Sequence, residues 1–125
     1  MSGRQDRIAV YRDLQRRFRP DRRQFEQLVV EAVSALPDDI KRRIENVAIV
    51  VEDDPRGQSV LGLYQGVALP ERAESYHLAA PDTITIFRRP VLASATTREE
   101  VLREIRDTVV HEVGHYFGIP ERELP

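Results

Sequence analysis

The 125-residue sequence has no cysteine, which excludes disulfides and thiolate metal ligands, so any metal must be held by His, Asp or Glu. Histidine is scarce too, at three residues. No segment approaches the roughly 18 consecutive apolar residues of a membrane span. The N-terminal MSGRQDRIAVYRDLQRRFR lacks the apolar centre of a secretion signal, and a cytoplasmic protein is expected. Internal repeats and low-complexity linkers are absent. A chain of this length with 41% hydrophobic residues suits one core and one site.

What charge there is falls unevenly. Residues 1–23 carry eight Arg against three acids, whereas residues 24–125 carry eleven basic and eighteen acidic side chains, so a +5 start adjoins a −7 body. No aromatic-interleaved basic patch accompanies the arginines, which argues against nucleic acid as a partner. Residues 1–20 are expected to be an Arg-rich helix or extension with Ile8, Tyr11, Leu14 and Phe18 on one stripe, stopped at Pro20. The domain itself is expected over 21–125.

Asp21 is placed to cap a helix reaching about Leu36, with Phe25, Leu28, Val29, Ala32 and Val33 on one face. PDDIKRRIEN reads as a short helix after Pro37. The β-branched run Val47–Val51 reads as a buried strand ending at the turn-like Asp53-Asp54-Pro55-Arg56-Gly57. LGLYQG at 61–66 and the alternating TITIF at 83–87 are further strands, with a loop or short hairpin over 66–82. Within that loop Tyr76 and His77 read as surface residues, and the acidic Glu52-Asp53-Asp54 lacks a calcium-loop pattern and reads as a turn.

The last helix carries the chemistry. Thr97 and Glu100 form a capping-box signature, and Gly118 and Pro120 supply stop signals, which predicts a helix over Arg98–Phe117. At about 100° per residue, with His111 set at zero, His115 lies about 40° away. Leu102, Ile105, Val109, Val113 and Tyr116 then cluster between about 120° and 200° on the same wheel. The two histidines should therefore open toward a cleft, with Glu104, Asp107 and Thr108 on their side.

Histidines at i and i+4 stand one above the other on a helix, close enough to share one ion. Glu112, rotated off that line, should miss the ion but reach a water on it and serve as general base. Zinc with that carboxylate is the combination amide hydrolysis needs. Catalytic zinc normally takes three protein ligands, and Gly118 lets the chain turn so that Glu121, or failing it Glu123, approaches as the third. Chance is a poor account of HEVGH at 111–115: this composition yields H-E-x-x-H about 0.007 times by accident. Gly114 admits two readings, a close approach of backbone or substrate, or tight helix-to-sheet packing.

From about Phe25 onward, FEQLVVEAVSALPDDI, NVAIVVEDDP, LGLYQG, DTITIFRRPVL and TVVHEVGHYFGIPERELP occur in an order that resembles the bacterial minimal zincin, or zincin-like metallopeptidase, family. The resemblance implies an α+β fold with a small mixed β-sheet packed on the active-site helix. It implies zinc as the metal, His111, His115 and Glu121 as ligands, and Glu112 as general base. The family more usually has Asp where this chain has Glu121. The only methionine is Met1, so no methionine turn is expected beneath the metal, and a shallow or shared substrate site is expected. Two functions follow: a zinc-dependent peptidase acting on peptide or protein substrates, or a non-catalytic zinc-binding or protein-interaction module.

Overall fold

A computed structural model of the chain describes residues 17–57, 59–66 and 81–125, the side chain of Glu121 excepted. Most of the expected N-terminal helix, and Tyr76 and His77, fall outside the described residues.

Asp21 begins the first helix through a reciprocal capping box. Its carboxylate accepts from the Gln24 backbone N–H at 2.8 Å, and Gln24 Oε1 accepts from the Asp21 N–H at 2.9 Å. The helix, α1, spans Arg22–Ser34 and buries Phe25, Leu28, Val29 and Ala32. A short α2, Asp38–Arg43, follows Pro37 and buries Ile40.

Three strands form one mixed sheet in the order β1-β3-β2. β1 (Val47–Glu52) runs parallel to β3 (Asp82–Phe87), in a register from Val47 opposite Asp82 to Glu52 opposite Phe87. β2 (Gly62–Gln65) runs antiparallel to β3, with Gly62 opposite Ile86 and Gln65 opposite Thr83. β3 is the central strand, and Ile84 and Ile86 are fully buried. A helix that sequence periodicity does not reveal, α3 (Arg88–Ala93), follows β3 directly. Six residues are too few to show a period, and Pro90 is tolerated because it lies in the first turn, where backbone N–H groups have no helical partner.

The long helix α4 spans Arg98–Phe117, as its cap and stop residues predict. Thr97 Oγ1 accepts from the Glu100 N–H at 3.2 Å. The return bond shifts by one residue, Glu100 Oε2 accepting from Thr96 N–H at 2.8 Å. Val101, Ile105, Val109 and Val113 join Phe25, Ile84, Ile86 and Val91 as the largest wholly buried side chains. α1 and the sheet thus share α4 as their common packing partner, giving the α+β architecture.

Thr108 departs from its expected place beside the histidines. It is buried, its hydroxyl donates to the Glu104 carbonyl at 2.7 Å, and its methyl faces Gly62 so closely that a Cβ there would lie 2.5 Å from Thr108 Cγ2. The helix approaches β2 tightly at this point, and one glycine makes that possible. No helix among the described residues is long and apolar enough to cross a membrane.

Candidate metal centre

The last two turns of α4 project the HEVGH segment beyond the core. His111 and His115 are exposed, Glu112 is half-buried, and Val113 between them is wholly buried. The imidazoles thus occupy the helix face away from the apolar stripe while Val113 anchors the same turn.

Glu112 is held by the sheet. Phe87 N–H donates to the Leu61 carbonyl at 2.9 Å, so the odd-numbered residues of β2 turn their polar groups toward β3. Gly62 and Tyr64 therefore turn theirs to the outer edge. The Tyr64 N–H there donates to Glu112 Oε1 at 2.9 Å. Tyr64 is itself fixed at its far end, its hydroxyl donating to Asp82 Oδ2 at 2.9 Å. No spacing rule points to this contact across 48 residues. Its one sequence signal is the pair of glycines flanking Leu-Tyr-Gln, a pattern that marks close backbone approach.

Tyr116 does not join the core stripe on which its wheel angle puts it. It remains 46% exposed and stacks face to face on Tyr64, ring centroids 3.9 Å apart and planes 18° from parallel. Phe117 packs edge-on against both rings, and the Arg43 guanidinium lies 5.4 Å from its centroid. The physical reason is position: at the end of α4 the apolar side of the wheel faces β2 and α2 rather than the interior.

α4 ends in a Schellman motif. Gly118 takes φ +66°, its N–H donates to the His115 carbonyl at 3.3 Å, and the Ile119 N–H donates to the Gly114 carbonyl at 2.8 Å. A 3₁₀ turn over Glu121–Glu123 follows, with Glu123 N–H bonded to the Pro120 carbonyl at 2.9 Å. The tail then comes back against the helix. A Cβ on Gly114 would lie 2.7 Å from Leu124 Cδ1, so neither substrate nor sheet but this leucine explains the glycine.

Among the described side chains no group of three His, Asp or Glu is assembled to hold an ion. The described donors are the two imidazoles, with Glu121 entering through its backbone only. The described donors are of a type that suits zinc: two borderline nitrogens on one exposed helix face with a carboxylate fixed beside them, followed by a reversal at Gly118 into the turn that carries Glu121 and Glu123. An apolar groove between α1 and β1, lined by Val29, Val30, Val33, Val47 and Ile49, contains none of these residues.

A family model described as "Zincin-like metallopeptidase" matches residues 44–125, about two thirds of the chain and all of the segment from β1 to the tail. Among curated proteins none matches the chain significantly.

Proposed function

Because the chain belongs to the zincin-like metallopeptidase family, we propose that it is a zinc-dependent peptidase in which His111, His115 and Glu121 hold the metal and Glu112 is the general base. The observation that carries this reading is the 2.9 Å bond from Tyr64 N–H to Glu112 Oε1 beside an exposed i, i+4 histidine pair. One carboxylate oxygen is spent on orientation. The other is left to accept a proton from water and return it to the departing amine.

Zinc, when bound, supplies the Lewis acidity that polarises a scissile carbonyl and makes water acidic enough to ionise near neutral pH. The chain's own contribution is alignment. A glutamate free to sample its rotamers is in the reactive pose only part of the time, whereas one tied to a strand backbone is preorganised. β2 is an outer strand among the described residues, and an extended peptide registered on it would be aligned by the same strand that holds the base.

The decisive comparison is wild type against Glu112→Gln, both assayed for bound zinc and for cleavage of a peptide library. The expected result is retained zinc with hydrolysis lowered by about 10²- to 10⁴-fold, the usual share of a general base. Cleavage that persists in the variant refutes the role given to Glu112. Stoichiometric zinc with no cleavage by the wild type marks instead a non-catalytic zinc-binding module on the same fold.

A further inference from the structure

In a Schellman motif the residue after the reversing glycine usually makes an apolar contact with the residue four places before that glycine. Here that earlier position is Gly114, which has no side chain to offer, and it lies between the two histidines in sequence. Leu124 fills the gap. Its Cδ1, Cδ2 and Cγ would stand 2.7, 3.0 and 3.4 Å from a Cβ at Gly114, and it packs against the core from the rim. The tail is consequently pinned twice, by the Ile119 N–H on the Gly114 carbonyl and by Leu124 on the bare Gly114 backbone. Glu121 lies between the pins.

We propose that Leu124 is a positioning residue for the metal centre, seated on Gly114 so that the Glu121 turn is kept close to the end of α4 that carries the histidines. The inference rests on the reading of Glu121 as third ligand. Without Leu124 the segment after Gly118 loses its second pin, and the acid samples positions away from the imidazoles. Gly114 is then selected by the tail's need for room and not by the helix. Gly114→Ala accordingly makes a better helix former and a worse metal site, two effects of opposite sign that helix stability alone cannot produce.

The test is zinc affinity of the full chain, measured by competition with a chromophoric chelator, in a double-mutant cycle of Glu121→Ala and Leu124→Ala. Leu124→Ala is expected to weaken zinc binding about 10- to 100-fold, the range for partners that orient metal ligands. In the Glu121→Ala background the same change should have little further effect. Gly114→Ala, with its helix intact by circular dichroism, should weaken zinc binding in the same direction. Equal losses from Leu124→Ala in both backgrounds overturn the positioning role and leave the ligand assignment standing. Unchanged affinity in Glu121→Ala overturns the ligand assignment and the inference with it.

Discussion

One helix contains two regions built on different terms. Between Val101 and Val110, α4 buries Val101, Leu102, Ile105, Thr108, Val109 and Val110 against its neighbours and leaves Arg103 and Asp107 exposed on the opposite side. Between His111 and Phe117 only Val113 and Gly114 are buried, and two imidazoles and two aromatic rings face outward. Folding energy is concentrated in the first region, and the candidate site in the second. The lesson is that a segment carrying candidate ligands can be continuous with the core axis yet contribute little to holding it together.

The comparison breaks most visibly at the metal. His115→Ala is expected to abolish stoichiometric zinc binding, measured on metal-replete protein, while changing zinc-free stability by no more than about 0.5 kcal/mol, as for an ordinary exposed site. Ile105→Ala should do the reverse. It removes a wholly buried side chain and should cost about 2–5 kcal/mol in urea unfolding, with zinc stoichiometry kept wherever the protein is folded. If the two variants destabilise the zinc-free chain equally, the division within α4 is wrong.

A smaller effect belongs at the far end of the helix. Thr97→Ala removes the acceptor for the Glu100 N–H and should cost about 1 kcal/mol by the same unfolding measurement. It should leave zinc affinity unchanged, because the buried stretch separates the cap from the site.

The smallest effect lies outside α4. The Arg88 side chain bonds Asp53 at 2.9 Å and, against an opposing desolvation and with the positive charges of Arg88, Arg22 and Arg89, holds its carboxyl below the ordinary value of 3.8. A depressed carboxylate stabilises the fold above that value, and the contribution is lost as pH falls through the lower native one. The urea midpoints of wild type and Asp53→Asn should therefore differ modestly at pH 7 and converge in strong acid. A gap that widens on acidification contradicts the assigned direction.

Sequence patterns made α4 legible to the residue, because Thr97 and Gly118 are chemical stops and not mere averages of propensity. Asp21 likewise marks the start of α1, which ends at Ser34 and not near Leu36, and the three strands are found with bounds shifted by one residue at their ends. Strand order was not legible. Parallel pairing of β1 with β3, and β2 on the outside, depend on packing between segments that no local pattern encodes. Thr108 and Tyr116 were misplaced for a related reason: a helical wheel assumes one environment along its length, whereas α4 passes from the interior to the rim. At the site, His111, Glu112 and His115 stand out in the sequence because their spacing is the geometry. Tyr64 and Leu124 do not, since each acts through a contact that only the folded chain creates.

The Tyr64 and Tyr116 stack also has an optical consequence. The chain has no tryptophan and only four tyrosines, so half of its phenol chromophores sit where β2 meets the histidine-bearing end of α4. Near-ultraviolet dichroism of this protein is thus weighted toward that junction. Loosening the strand from the helix should register as a loss of tyrosine signal before the far-ultraviolet helix signal changes.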